Sequence, residues 1–69
     1  MGIQRYLGEE RFTYFLSLLD NPALRVGQAF YTALSSVDQY RLWQTDADPF
    51  DSNDVEDVYA AIDFLLENA

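Results

Sequence analysis

Hydrophobic residues recur at helical spacing near the beginning of the chain. Between Glu9 and Asp20 they follow the i, i+3, i+4, i+7 rule, and acidic residues open the segment, which suits the positive end of a helix dipole. The apolar positions are Phe12, Phe15, Leu16 and Leu19, flanked by Tyr14 and Leu18. This arc covers about 200° of the helix surface, wider than the stripe of an ordinary surface helix. The pattern predicts a helix over 9–20, buried on two sides by the rest of the chain or by a second copy.

A second helix is predicted over 22–35, after a lead-in at 1–8 and the first helix. Asn21 suits a helix cap, and Pro22 suits the first helical position because its missing N–H needs no partner there. Gly27 costs about 1 kcal/mol in a helix interior, so we expect it to permit a close approach between two helices. A capping box at Ser36 and Gln39 predicts a short third helix over 37–44.

The clearest amphipathic pattern ends the chain, over 54–68, after a loop at 45–53 in which Phe50 is expected to fill the body. The predicted buried stripe consists of Val55, Val58, Tyr59, Ile62, Leu65 and Leu66. Glu56, Asp63 and Glu67 fall on the opposite face. Phe64 also falls away from the stripe, and an aromatic residue on the solvent side indicates a contact residue. Together the patterns predict an all-α fold, a small bundle of three to four helices in a single domain over 1–69.

Charge divides the 69 residues into two unlike parts. The chain has twelve acidic residues and four arginines, for a net charge of −8. Residues 1–41 carry four acids and four arginines and are neutral, so the remaining eight acids account for the whole −8. These eight are Asp46, Asp48, Asp51, Asp54, Glu56, Asp57, Asp63 and Glu67. Such polarity allows one strongly negative face, and it argues against direct contact with nucleic-acid phosphates.

The chemistry-bearing residue types are few. The chain has no Cys and no His, so it offers no disulfide, no thiolate site and no general base for a serine nucleophile. An EF-hand beginning at Asp46 would place Phe50 at position 5 and Asp51 at position 6, where Asp or Asn and then Gly are needed. We therefore expect no enzyme activity, no metal site and no cofactor. No apolar run approaches the ~18–20 residues of a membrane span, and residues 1–8 do not resemble a signal peptide, so a cytoplasmic protein is expected.

Two blocks of the sequence resemble a pattern found in short uncharacterised proteins of phages and prophages. The first block is Asn-Pro-Ala-Leu-Arg-Val-Gly-Gln-Ala-Phe-Tyr-Thr-Ala-Leu at 21–34, and the second is Thr-Asp-Ala-Asp-Pro-Phe at 45–50. The resemblance covers under half of the chain. It implies a small accessory protein of phage type, acting in the host cytoplasm, and it brings no activity and no catalytic residue.

The leading functional hypothesis is a non-enzymatic accessory or regulatory protein that docks on a basic surface of another protein. One alternative is a nucleic-acid mimic that inhibits a host DNA- or RNA-binding protein, and another is a structural homo-oligomer. In every version no direct contact with nucleic acid or membrane is expected. The predicted partner-binding residues are Tyr40, Trp43, Asp46, Asp48, Phe50, Asp51, Glu56, Asp57, Asp63, Phe64 and Glu67.

Overall fold

The computed structural model describes residues 2–68 and confirms an all-α fold. Over these residues the chain forms five helices, α1 (Ile3–Leu7), α2 (Glu9–Leu19), α3 (Val26–Ala33), α4 (Ser36–Leu42) and α5 (Val55–Glu67). Helices α1 and α3 each pack against both α2 and α5, and α4 packs against α5. The bundle therefore has one helix more than the three to four that the sequence predicts.

The core draws on every helix. Its buried apolar residues are Leu7, Phe15, Ala29, Phe30, Ala33, Leu34, Leu42, Val58, Ala61, Ile62 and Leu65. The rings of Phe15 and Phe30 meet edge to face, with their centroids 6.3 Å apart, a geometry that adds to the burial of the two rings. This contact joins α2 to α3.

The additional helix is α1, which occupies most of the predicted lead-in. Gly8 separates it from α2 with a φ of 83°, a backbone conformation that glycine adopts without steric cost. The Gly8 N–H donates to the Gln4 carbonyl at 2.9 Å, and the Gly8 carbonyl accepts from the Phe12 N–H at 2.9 Å. A single glycine thus ends one helix and begins the next.

Helix α3 begins four residues later than predicted. The Asn21 side chain accepts a hydrogen bond from the Ala23 N–H at 3.0 Å, and the Leu24 N–H donates to the Asn21 carbonyl at 3.1 Å. These bonds make a turn, since Asn competes for nearby backbone donors as readily as it caps a helix. The helix starts only at Val26, whose N–H donates to the Asn53 side chain at 3.3 Å, and it ends at Ala33.

Gly27 permits a close approach, but between a helix and a loop and not between two helices. A Cβ atom at this position would lie 1.7 Å from the Pro49 carbonyl oxygen and 2.6 Å from the Pro49 carbonyl carbon. The Gly27 N–H donates to the Ser52 carbonyl at 2.9 Å. Pro49 is fully buried, so the loop between α4 and α5 is seated directly on the first turn of α3.

Helix α4 is capped by Ser35, one residue before the predicted Ser36. The Ser35 hydroxyl accepts from the Asp38 N–H at 3.3 Å. The helix ends at Leu42, two residues earlier than predicted, and Gln44 has a φ of 60°. This left-handed conformation cannot continue a right-handed helix, so the chain turns into the loop here.

Helix α5 closely matches its predicted range, but its buried side is rotated by about 50° from the predicted stripe. Asp54 caps it, accepting from the Glu56 N–H at 2.9 Å. The residues that it buries are Val58, Ala61, Ile62 and Leu65. Val55, Tyr59 and Leu66 are exposed instead of buried. The prediction that Phe64 lies on the solvent side is wrong, because it is half-buried and packs against the core.

The wide apolar arc of α2 is only partly covered. Phe15 is buried, whereas Phe12 and Leu18 are half-buried. The exposed residues are Tyr14, Leu16 and Leu19. The described residues therefore do not bury this helix on two sides, and its completion by a second copy stays a prediction.

Three side chains tie α1 and α4 to the end of α5. The Tyr6 hydroxyl donates to the Asp38 carboxylate at 2.8 Å, and Arg41 lies 3.6 Å from the same carboxylate. The Arg41 guanidinium also donates to the Leu65 carbonyl at 3.2 Å and to the Asn68 carbonyl. A cation beside the last carbonyls of a helix stabilises the negative end of its dipole. This network fixes α4, the helix that precedes the acidic loop.

The same network makes folding stability sensitive to alkaline pH. Burial, followed by the hydrogen bond to Asp38 and the charge of Asp38, raises the pKa of Tyr6 to about 12, above the ~10 of an unperturbed tyrosine. The folded state therefore holds this proton more tightly than the unfolded state, and the contribution is complete below about pH 10 and lost as the pH rises through 12. We expect the stability advantage of the native chain over Tyr6→Phe, measured by urea denaturation, to shrink between about pH 9 and 12. An advantage that stays constant over this range would contradict the assignment.

Candidate functional site

The loop between α4 and α5, residues 43–54, carries half of the eight acids beyond residue 42. It coincides closely with the predicted loop at 45–53. Main-chain contacts hold it against α3, at Gly27 and Pro49. The acids of the loop are thus displayed from a segment without regular structure that is nevertheless fixed to the body.

Asp48 shapes the first half of this loop. Its carboxylate accepts hydrogen bonds from the Gln44 N–H at 3.1 Å and from the Phe50 N–H at 3.0 Å. The Asp48 N–H in turn donates to the Thr45 carbonyl at 3.1 Å. Aspartate commonly stabilises turns by bonding backbone donors in this way. Asp48 therefore has a structural role in addition to its charge.

Phe50 does not fill the body as predicted, because the neighbouring Pro49 takes that place. The Phe50 ring is partly exposed and packs edge-on against Tyr31, with a centroid distance of 5.4 Å. The Tyr31 hydroxyl donates to the Gln39 carbonyl at 3.2 Å, and the Gln39 amide donates to the Tyr31 carbonyl at 2.9 Å. Burial and the nearby Asp48 carboxylate raise the pKa of Tyr31. Phe50 therefore packs against α3, at a residue that is itself bonded to α4.

An open depression of about 600 Å³ lies on this side of the molecule. It is lined by Gln44, Thr45, Asp48, Phe50, Asp51, Ser52 and Asp57. Asp57 belongs to α5, and its carboxylate accepts a hydrogen bond from the Ser52 hydroxyl. The loop and the first turn of α5 thus present their carboxylates around one aromatic ring.

The most exposed aromatic residues of the chain lie just before this loop segment. Tyr40 is 80% exposed and Trp43 is 58% exposed. Tyr40 is in the last turn of α4, and Trp43 follows the helix and directly precedes Gln44, which lines the depression. We use the name acidic–aromatic surface for Tyr40, Trp43, Asp46, Asp48, Phe50, Asp51 and Asp57.

The remaining predicted site residues lie elsewhere on α5. Glu56, Asp63 and Glu67 are exposed and share the side of the helix opposite its buried residues. A smaller depression of about 340 Å³ is lined by Glu56, Tyr59, Ile62 and Asp63. Phe64 is half-buried and contributes to the core, so the structure does not bring it together with the acidic–aromatic surface.

Sequence reasoning missed Val37, which is 65% exposed on α4. A signal for it was present, because Val37 stands three positions before Tyr40 and shares its face at helical spacing. The low hydrophobic regularity of this short helix hid the pattern.

The acids from Asp46 to Glu67 have no arginine partner among residues 2–68. The single ion pair over these residues joins Asp38 to Arg41, both in the neutral part of the chain. Within the same range, no three acidic side chains come close enough to hold a metal ion. What the surface offers is a set of carboxylate oxygens beside aromatic faces, a combination that binds ammonium and guanidinium groups.

No protein-family model, curated protein or solved structure matches the chain. Across the described part of the chain, each helix is too short or too polar to pass through a lipid bilayer. The surface itself is therefore the only guide to function, and the resemblance to phage proteins stays a prediction.

Proposed function

We propose that this chain is a non-enzymatic accessory protein that binds a basic surface of another protein through its acidic–aromatic surface. The observation that carries the proposal is the coincidence of two features along one stretch of the chain, from α4 to the first turn of α5. Carboxylates without arginine partners surround Phe50, and Tyr40 and Trp43, the two most exposed aromatic residues, lie where α4 leads into this loop.

The carboxylates and the exposed aromatic residues contribute to binding in different ways. Carboxylates that are free of internal ion pairs attract a basic partner over about 10 Å at 0.1 M salt and accelerate encounter. Tyrosine and tryptophan are enriched among the residues that dominate interface energies. Charge would therefore orient the partner, and Tyr40 and Trp43 would supply the buried contact.

The geometry of the surface is fixed before binding. Asp48 bonds two backbone N–H groups of the loop, and Gly27 seats the loop on α3. A surface that is already ordered loses less conformational entropy when a partner binds.

The test compares capture of partner proteins by two variants with the same net charge. In the first variant, Asp46, Asp51 and Asp57 are changed to Asn, which removes three exposed acids of the acidic–aromatic surface. In the second, Glu9 and Glu10 are changed to Gln and Asp20 to Asn, which removes three exposed acids from α2 and the turn after it. We expect the first variant to lose capture at least about tenfold and the second to stay within about twofold of the native chain.

The comparison distinguishes an effect of the carboxylates of the acidic–aromatic surface on capture from an effect of the net charge of the chain. Far-UV circular dichroism establishes that both variants keep their helices, and quantitative mass spectrometry after affinity capture from cell extract at about 0.05 M and 0.3 M salt gives the readout. Equal loss from both variants would show that net charge alone attracts the bound proteins, and it would overturn the proposal. If duplex DNA or RNA displaces the captured protein, the surface is a mimic of nucleic-acid charge.

A further inference from the structure

Val37 and Tyr40 on α4, together with Trp43 directly after its end, form an exposed apolar row, which we call the α4 row. The residues lie at i, i+3 and i+6, and they are 65%, 80% and 58% exposed. Val37 and Tyr40 are about 4.5 Å apart along the helix axis, and Trp43 extends the row beyond the end of α4. The opposite side of α4 is attached to the body, because Leu42 is fully buried.

The α4 row is held rigidly at both ends. Ser35 caps the first turn of α4. In the last turn Gln39 is bonded to Tyr31, and Arg41 is bonded to the end of α5. Two exposed apolar side chains on a helix that is attached in this way, with Trp43 directly after its end, offer an apolar contact surface.

Charge is distributed unevenly along the α4 row. At its beginning the Asp38 carboxylate is already paired with Arg41. At its end, Trp43 leads into the loop that carries Asp46, Asp48 and Asp51, which have no arginine partner among residues 2–68. A complementary ligand is therefore apolar along the row and cationic beyond Trp43.

We infer that the partner presents a short amphipathic helix, with an apolar stripe that packs on the α4 row and arginine or lysine side chains that reach the loop carboxylates. This inference rests on the proposed function and adds the form of the partner's binding segment. An amphipathic helix offers apolar groups at i, i+3, i+4 and i+7 on one face, which suits contact with an apolar row. A second copy of this chain fits poorly, because it would bring the same loop acids against one another.

The probe is a synthetic peptide of about 16 residues with leucine at helical spacing, arginine along one edge of the leucine face and no tryptophan. Its control is an isomer of the same composition in which the leucines are scattered around the helix. Trp43 is the only tryptophan of the chain, so a blue shift of its emission reports a ligand on the α4 row. Fluorescence anisotropy of labelled peptide gives the affinity.

We expect the amphipathic peptide to bind at least about tenfold more tightly than its isomer and to shift the Trp43 emission to shorter wavelength. Val37→Ser and Tyr40→Ser should each weaken binding about five- to tenfold. Leu16→Ser removes a comparably exposed apolar side chain from α2, and it should leave the affinity within about twofold.

Equal affinity for the two peptide isomers, or equal effects of Val37→Ser and Leu16→Ser, would overturn the inference. The proposed function fails by a different result, namely equal loss of capture by the two charge variants. Selective capture together with equal peptide affinities would leave a basic protein partner in place and exclude a helical segment on the α4 row.

Discussion

Gly27→Ala is expected to lower the free energy of unfolding by about 3 kcal/mol or more, since overpacking of a well-packed site costs about 1–3 kcal/mol and occasionally more. The added Cβ would lie 1.7 Å from the Pro49 carbonyl oxygen. A backbone oxygen cannot turn aside as a flexible side chain can, so the loop must move away from α3. That movement would break the bond from the Gly27 N–H to the Ser52 carbonyl and expose Pro49.

The loss is large for a domain of this size, whose whole stability is on the order of 3–10 kcal/mol. Urea denaturation followed by far-UV circular dichroism measures it. Gly2→Ala is the matched control, because a Cβ at Gly2 meets nothing within 4 Å, and it should leave stability unchanged within about 0.5 kcal/mol. If Gly27→Ala is as stable as this control, the close contact between α3 and the loop does not exist in solution.

Leu65→Ala is expected to lower the free energy of unfolding by about 2–5 kcal/mol, and Leu66→Ala by less than about 1 kcal/mol. The two residues are neighbours of the same type on α5, so helix propensity affects them equally. Leu65 is 1% exposed and Leu66 is 44% exposed. Only the first substitution leaves a cavity in the core.

Thermal or urea denaturation of the two variants under the same conditions provides the measurement. The pair tests the rotation of α5 directly, because the stripe predicted from the sequence buries both leucines. Similar losses for the two variants would favour that predicted stripe over the observed orientation.

Helix α5 shows what an apolar pattern determines and what it leaves open. Its predicted range, 54–68, followed from the long run of apolar positions. The apolar pattern did not determine which side of α5 is buried. Apolar residues occupy more than half of the helix surface, so several orientations bury similar numbers of them. In the observed orientation the small side chain of Ala61 is fully buried. Which side of α5 is buried depends on how the neighbouring helices pack against it, and the sequence of α5 alone does not give that packing.

Other differences between the predicted and the observed helices also arise from contacts between residues that are distant in the sequence. Gly27 carried a visible signal of close approach, but its partner is Pro49, more than twenty residues away. The start of α3 depends on Asn53, equally distant along the chain, whereas Asn21 makes its bonds within a local turn. Helix α1 has only five residues, too few for a periodic pattern to emerge.

Within the candidate site, composition was more informative than periodicity. The loop acids were identified because no basic residue follows Arg41. Tyr40 and Trp43 are exposed, and their role in partner contact stays a prediction. Phe64 was misplaced together with the rest of the α5 stripe. Val37 was missed because α4 is short and its apolar pattern is irregular.

In the loop between α4 and α5, the groups that attach the loop to α3 differ from those that face solvent. The Pro49 backbone, the Ser52 carbonyl and the Asn53 side chain make the attachment. Asp46 and Asp51 are exposed. Outward positions can therefore change in the course of evolution, or by design, without loosening the frame beneath them. Substitutions at a few positions of this one loop would therefore alter the charge and shape of the surface while the fold stays the same.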